Sequence, residues 1–308
     1  MKTRKVGIIG AGNVGTHVAS NLAALGICDE IIMLDEDREK CFGQVMDLQD
    51  AEGTAIHNCK IMQGNYDDFT DADILVISVC GKVFDENRLH ELDESLRILD
   101  EIVPKIQKCG FHGMILSITN PCDLVTYYLT KKLPQLTVLG TGTGLDSNRF
   151  RVRIAQKLGI HSSAVQGFTL GEHGDSQVPV WSQVRIYGQL MENLPADMRI
   201  DNIQQKEISL KTIRAGWEIA SRKKCTEFGI AMVAAHIIQA IYNDAKIVMP
   251  CSTFLRGEYG QENLCVSVPC TIGKNGVERI WELELTTAEK EKFQQSCDLL
   301  KNLIKAKL

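Results

Sequence analysis

A glycine fingerprint set between a strand and a helix constrains this chain more than any other feature. Gly10-Ala11-Gly12-Asn13-Val14-Gly15 follows the apolar run Val6-Gly7-Ile8-Ile9 and opens a helical pattern. It is trailed by Asp35 at the end of a second apolar run, Glu30-Ile31-Ile32-Met33-Leu34. In such a unit the first glycine allows a tight turn and the second lets backbone amides approach a pyrophosphate. The third packs helix on strand, and the helix N-terminus faces the phosphates. Glycines alone match this spacing often by chance; the strand, the helix and the acidic residue in register make it specific.

The texture after the fingerprint agrees. Short apolar runs at Ile74 to Val79, Met114 to Thr119 and Thr137 to Gly140 alternate with helical stretches, which is the pattern of parallel strands with crossover helices. Pro104 falls in a long helix starting near Glu86, and Pro121 fits the first turn of the next. From Asp146 the pattern changes. A helix is predicted over 149–158, strand-like runs near 165–170 and 182–186, and two long helices over 200–224 and 226–243. Further strands follow over 246–255 and 264–272, then a hairpin turn at Gly273-Lys274-Asn275-Gly276 and a last strand to Leu285. Thr286-Thr287-Ala288-Glu289 starts a final helix. The expected class is α/β: a Rossmann-type doubly wound parallel sheet over residues 1–145, followed by an α+β substrate domain over 146–308.

Composition narrows the function. The 308 residues are 44% hydrophobic, enough for a large core, and the formal net charge of −5 argues against nucleic acid and anionic membranes. No run is long enough to span a bilayer, and the short apolar start, which runs straight into the fingerprint, is expected to be a first strand and not a leader. Eleven scattered cysteines without a C-x-x-C pair fit reduced thiols in a cytoplasmic protein, mostly as small core residues.

The fingerprint predicts a dinucleotide. Gly10, Gly12, Asn13, Val14 and Gly15 would face its phosphates and Asp35 its adenosine ribose. A carboxylate there, followed by Glu36 and Asp37, repels a ribose phosphate and so favours NAD over NADP. Val79, Gly81, Thr119 and Asn120, at the carboxyl ends of later strands, are further cofactor candidates. Beyond them, Gly171-Glu172-His173-Gly174-Asp175-Ser176 presents one histidine framed by glycines, suited to moving a proton on a carbon–oxygen centre. Asp146 is the candidate to orient it, although, taken alone, a helix N-cap before 147–158 explains that aspartate better. Arg149, three residues on, could grip a substrate carboxylate, and Arg88 lies in a loop at the carboxyl edge of the sheet. The other six histidines lack such framing. No metal-ligand spacing is present, which disfavours a zinc-dependent enzyme.

These residues resemble the L-lactate and malate dehydrogenase family along the whole chain. The resemblance is carried by five ordered stretches: Gly10 to Gly15, Ser117 to Asp123, Gly140 to Arg151, Gly171 to Ser176, and Lys224 to Ala231. It implies that His173 is the proton donor and acceptor, that Asp146 pairs with it, that Arg149 binds the substrate carboxylate, and that Arg88 polarises the carbonyl from a closing loop. It also implies that Asn120 hydrogen-bonds substrate and that Thr226 lines the pocket. Within the family the chain is most similar to the L-2-hydroxyisocaproate and L-lactate dehydrogenase branch. The specificity segment Gly81-Lys82-Val83-Phe84-Asp85-Glu86-Asn87 has neither the glutamine nor the arginine found there in relatives. Lys82 and Val83 are the candidates in it, and a 2-oxo monocarboxylic acid, pyruvate or a bulkier aliphatic one, is the expected substrate. Malate dehydrogenase is the alternative within the family, and a non-catalytic NAD-sensing protein the alternative outside it. Arg151 matches an arginine that binds fructose 1,6-bisphosphate in many bacterial relatives, but Gln166 stands where they have histidine. Little activation by that effector is therefore expected. The resemblance further implies a homodimer or homotetramer.

Overall fold

The computed structural model describes residues 2–81 and 88–308, with the side chains of residues 88–90 outside the description. Strand β1 (Lys5–Ile9) leads into helix α1 (Asn13–Ala24). There follow β2 (Glu30–Leu34), α2 (Arg38–Glu52), β3 (Lys60–Gln63), β4 (Ile74–Ile77), α3 (Arg88–Lys108), β5 (Met114–Ser117), α4 (Cys122–Lys132) and β6 (Thr137–Gly140). The six strands pair in parallel in the order β3-β2-β1-β4-β5-β6, the doubly wound arrangement the alternation predicts. Only β3 escapes the sequence reading, because Lys60-Ile61-Met62-Gln63 has just two apolar residues between polar ends.

The second half opens with α5 (Gly144–Leu158). Short strands β7 (Val165–Gln166), β8 (Thr169–Leu170), β9 (Val178–Pro179), β10 (Arg185–Ile186) and β11 (Gln189–Leu190) follow, then helices α6 (Asn202–Ile213), α7 (Ala215–Lys223) and α8 (Phe228–Tyr242). Strands β12 (Ile247–Arg256), β13 (Glu262–Gly273) and β14 (Gly276–Ile280) precede the last helix, α9 (Thr287–Lys307). The β13–β14 turn falls on Lys274-Asn275 as expected, with Gly273 opposite Gly276. α9 starts with a capping box in which Thr286 Oγ1 accepts from the Glu289 N–H at 3.3 Å and the Glu289 carboxylate accepts from the Thr286 N–H at 2.9 Å.

Several boundaries move: the last strand, expected to run to Leu285, ends at Ile280, and of the run near 182–186 only Arg185–Ile186 is strand. The long helix expected over 200–224 divides at Arg214 into α6 and α7, the run near 165–170 breaks into β7 and β8, and α5 starts at Gly144, five residues before the expected Arg149. The last shift matters for the site, since it carries Asp146 from the predicted cap position into the first turn of the helix, with Thr143 as N-cap.

One sheet joins the halves. β12 pairs antiparallel with β6 through Ser252 and Gly140, so β12, β13 and β14 extend the parallel sheet to nine strands. α8 is apolar over most of its circumference and buries Ile230, Ala231, Val233, Ala234, Ala235, Ile237, Ile238, Ala240 and Ile241. It packs against α1, whose Val18 and Leu22 share its core. Each such Ile or Leu removed from water contributes about 1.5–3 kcal/mol, so this contact holds the fingerprint helix firmly against the second half. The carboxyl ends of β1, β4, β5 and β6 share one edge, where ligands of open α/β sheets bind.

Candidate active site

At the cofactor end the three glycines are distinguishable by what a side chain would meet. Gly10 has φ of +103°, and a Cβ there would collide with the Ser78 carbonyl; a Cβ on Gly15 would collide with the Gly10 carbonyl. Gly12 has ordinary φ of −76° and nothing within 4 Å of its Cβ position. The protein's own packing therefore demands Gly10 and Gly15 but leaves Gly12 facing open space, as a backbone that receives a pyrophosphate must. No side chain caps α1 and its first turn holds no acid, so its N-terminal amides keep their positive field for an anion. Val14, the next residue of the fingerprint, packs its side chain against the core.

Asp35 locks this loop to β2. Its Oδ2 accepts from the Ala11 N–H at 2.6 Å and its Oδ1 from the Asp37 N–H at 3.0 Å. An ionised carboxylate offers about four acceptor positions, so room remains for ribose hydroxyls. Arg38, the nearest basic residue in sequence, donates Nη1 to the Gly64 carbonyl at 2.6 Å and is committed to the β3 side. The residues present thus fit an adenosine ribose without a phosphate. Thr119 is buried, and its Oγ1 accepts from the Val79 N–H at 3.0 Å and donates to the Ile77 carbonyl at 3.3 Å. It braces the carboxyl end of β4 from inside. Gly81 packs against the Glu94 carboxylate, and Asn120 is exposed, its carbonyl accepting from Ser95 Oγ at 2.7 Å.

The stretch around Thr226 comes to the same mouth. Asn13 Nδ2 donates to Cys225 Sγ at 3.1 Å, which brings the α7–α8 loop onto the start of the fingerprint helix and leaves Thr226 half-buried beside it. His17 joins this contact, with its Nδ1 2.7 Å from the Asn13 carbonyl and 3.6 Å from Glu227 Oε2. The sequence carried no signal for that pairing.

The chemical end is a chain of three charges graded by exposure. His173 Nδ1 lies 2.6 Å from Asp146 Oδ2, and Arg149 Nη1 lies 2.9 Å from Asp146 Oδ1. The side chains are 23%, 1% and 11% exposed for His173, Asp146 and Arg149, so the carboxylate is sealed and its two partners are mostly buried. One helical turn of α5 supplies Asp146 and Arg149 on a common face, and the β8–β9 loop supplies His173. Burial opposes ionisation of Asp146, but His173 and Arg149 together outweigh it and hold the carboxyl below its usual range. Burial likewise opposes a charged His173, yet Asp146, with help from Asp123, outweighs it and raises the imidazole above the usual histidine value. An ionised Asp146 accepts the Nδ1–H hydrogen bond and so fixes the tautomer and orientation of the imidazole.

Two groups that sequence reasoning missed hold this arrangement. Asp123 Oδ2 accepts from the His173 peptide N–H at 2.7 Å, and Ser267 Oγ donates to Asp123 Oδ1 at 3.1 Å. Asp123 stands in the quoted run Ser117 to Asp123 without a role assigned to it, and nothing local marks Ser267.

Lys82 and Val83 lie outside the described residues, and Arg88 enters only as the first backbone position of α3. Arg151 and Gln166 line a separate cleft of about 350 Å³, together with Arg185 from β10. Two cations, Arg151 and Arg185, thus share that cleft with Gln166. All eleven thiols are free and eight are buried: Cys28, Cys41, Cys59, Cys122, Cys251, Cys265, Cys270 and Cys297. Among the described residues no group of three or more His, Cys, Asp or Glu side chains could hold a metal, and no helix is long and apolar enough to cross a membrane.

Comparison with known proteins gives the same picture. The sequence model of the lactate/malate dehydrogenase NAD-binding domain matches residues 4–140, and that of the family's α/β C-terminal domain matches residues 143–308. The L-lactate dehydrogenase of Fusobacterium nucleatum subsp. nucleatum is 37% identical over 310 residues, covering 99% of this chain and 97% of that one. A minor L-lactate dehydrogenase from Enterococcus mundtii in its ligands-bound form superposes with a TM-score of 0.95 at 34% identity, covering 99% of both chains. The malate dehydrogenase of Cryptosporidium parvum superposes with a TM-score of 0.94 at 31% identity, again over 99% of both. With both family models matched end to end and the glycine cradle and its acidic partner in place, the chain belongs to the lactate/malate dehydrogenase family and is an NAD-dependent oxidoreductase.

Proposed function

We propose that the protein reversibly reduces a 2-oxo monocarboxylic acid to the L-2-hydroxy acid, with His173 as proton donor and acceptor. The observation that carries this reading is the sealed Asp146 carboxylate bridging His173 and Arg149. Burying an ionised carboxylate is costly unless it is paired on both sides, and here each partner also has a task of its own. Arg149 uses one guanidinium nitrogen on Asp146 and can turn the rest of its planar fork to a substrate carboxylate. His173 is then held on the same bridge, with Nε2 as the nitrogen that delivers its proton to the substrate oxygen. Gly10 to Gly15 and Asp35 would hold NADH, which would supply the hydride. Asn120 and Thr226 stand at the mouth to orient the substrate, and we assign to Arg88 the polarisation of the carbonyl and to Lys82 and Val83 the substrate's side chain. Residues 1–145 form the cofactor half and 146–308 the catalytic half in this reading.

The lack of an arginine in segment 81–87 disfavours a dicarboxylate, since a second carboxylate would lose a bidentate partner. We further infer a cytoplasmic homodimer or homotetramer. Phe42 and Met46, one turn apart on α2 and each about half exposed, support an interface there. The test is NADH oxidation with pyruvate, 4-methyl-2-oxopentanoate and oxaloacetate. Turnover with either or both monocarboxylates and slow oxaloacetate reduction is expected. Fastest turnover with oxaloacetate would assign a malate dehydrogenase, and silence with all three despite NADH binding would remove the proposed substrate class.

A further inference from the structure

We infer that Asp123 and Ser267 are positioning residues for the reaction, setting where His173 stands relative to the N-terminus of α5. The inference rests on the reading of His173 as the proton carrier. Its basis is a closed circuit of hydrogen bonds. The Thr143 N–H donates to Ser267 Oγ at 3.1 Å, Ser267 Oγ–H donates to Asp123 Oδ1 at 3.1 Å, and the His173 N–H donates to Asp123 Oδ2 at 2.7 Å. Thr143 is the N-cap of the helix that carries Asp146 and Arg149, and the His173–Asp146 bond of 2.6 Å closes the ring.

Ser267 also clamps the histidine loop through its backbone. It donates to the Gly171 carbonyl at 3.2 Å and accepts from the Gly171 N–H at 3.0 Å, two residues before His173. A fully buried serine on β13 thus ties together α4 through Asp123, α5 through Thr143 and the His173 loop through Gly171. There is no slack at this hub: a Cβ on Gly142 would collide with Ser267 Oγ, and Thr143 Oγ1 donates to the Thr169 carbonyl at 2.5 Å. Two donors converge on Asp123, and only an ionised carboxylate is an acceptor at both oxygens. A fold that needed only packing here would place an apolar residue instead of an acid that is 2% exposed.

Position and charge act together. The titratable groups facing Asp123 are His173 and Glu172 from the histidine loop, Cys122 on α4, Cys265 on β13 and Cys297 on α9. Burial pushes each of those three thiols up to about 12 or beyond, so they carry no charge near neutrality. Burial also pushes Asp123 up to about 6, so it is ionised at neutral pH and adds to the pull of Asp146 on the imidazole proton. Arg149 acts in the opposite sense on His173.

The test compares Asp123→Asn, Ser267→Ala and His173→Asn in the full-length enzyme with NADH and the better oxo acid. The readouts are kcat and KM, the pH profile of oxo-acid reduction, NADH affinity by fluorescence, and Tm. Asp123→Asn should lower kcat about tenfold or more and move the alkaline fall in reduction to lower pH, with NADH affinity within about twofold of the parent. Ser267→Ala, which keeps Asp123, should lower kcat by about threefold to tenfold with a smaller pH displacement. If Asp123→Asn does not fold, Ser267→Ala decides alone. An inactive His173→Asn beside folded Asp123→Asn and Ser267→Ala variants with parental kcat and pH profiles would overturn the positioning inference and leave the proton reading standing. A loss of Tm alone in those variants would overturn it equally, while an active His173→Asn would remove the reading beneath it.

Discussion

At the cofactor end the site is made by leaving side chains out, whereas at the His173 end it is made by burying charged ones. Gly10 and Gly15 are required by contacts within the protein, and Gly12 opens onto space that only a ligand would fill. Around His173, by contrast, each group exists for its neighbour: Asp146 for the imidazole and Arg149, Asp123 for the peptide behind them, Ser267 for Asp123. Binding a dinucleotide asks for backbone and room, while moving a proton asks for a fixed imidazole with a tuned pKa. The two ends should therefore fail separately.

The sharpest separation is expected among the glycines. Gly10→Ala places a Cβ against a carbonyl at φ of +103° and should cost the fold roughly 2–4 kcal/mol, read from chemical denaturation. Gly12→Val should leave stability within about 0.5 kcal/mol yet weaken NADH binding by about a hundredfold or more. Parental NADH affinity in Gly12→Val would break the account of the cradle. Asp35→Ser should show an intermediate effect. It removes charge-assisted hydrogen bonds to a ribose, about 1.5–3 kcal/mol or tenfold to hundredfold in NADH affinity, and narrows the preference over NADPH. Equal affinity for both nucleotides in the parent enzyme would contradict that role.

The smallest effect is a matter of pH. Because His173 is raised above the usual histidine value, its proton persists past about pH 6.5. Oxo-acid reduction, which consumes that proton, should fall severalfold as pH rises through the raised value, and hydroxy-acid oxidation should climb over the same interval. The linkage to stability has the same sign: the contribution from protonated His173 is complete below the unfolded-state value and disappears as pH rises through the folded one. Initial rates in both directions across pH 5 to 9 check this, and a midpoint below about 6.5 would contradict it.

What the sequence discloses follows the same divide. Gly10, Gly12, Gly15 and Asp35 lie within 26 residues on one strand–helix–strand unit, so their spacing alone shows their purpose. Asp146 and Arg149 are legible as neighbours because they share a helical turn. Asp123 and Ser267 reach His173 across 50 and 94 residues, through the packing of α4 and β13 against the β8–β9 loop, and no local pattern encodes such a meeting. α5 starts earlier than its sequence suggests for a related reason. Gly144-Leu145-Asp146-Ser147-Asn148 is rich in turn-forming residues, but the tertiary hydrogen bond of the Thr143 N–H to Ser267 Oγ and its Oγ1 bond to the Thr169 carbonyl anchor the helix earlier. In the fold, the continuation of the parallel sheet by β12 to β14 was likewise invisible, because it hangs on the single pairing of Ser252 with Gly140.

One measurement bears most directly on the division between the two ends: NADH affinity and single-turnover oxo-acid reduction on the same preparation of His173→Asn. The account predicts NADH binding within about twofold of the parent and turnover lower by about a thousandfold or more. Near-parental turnover, or loss of NADH binding along with turnover, would contradict it.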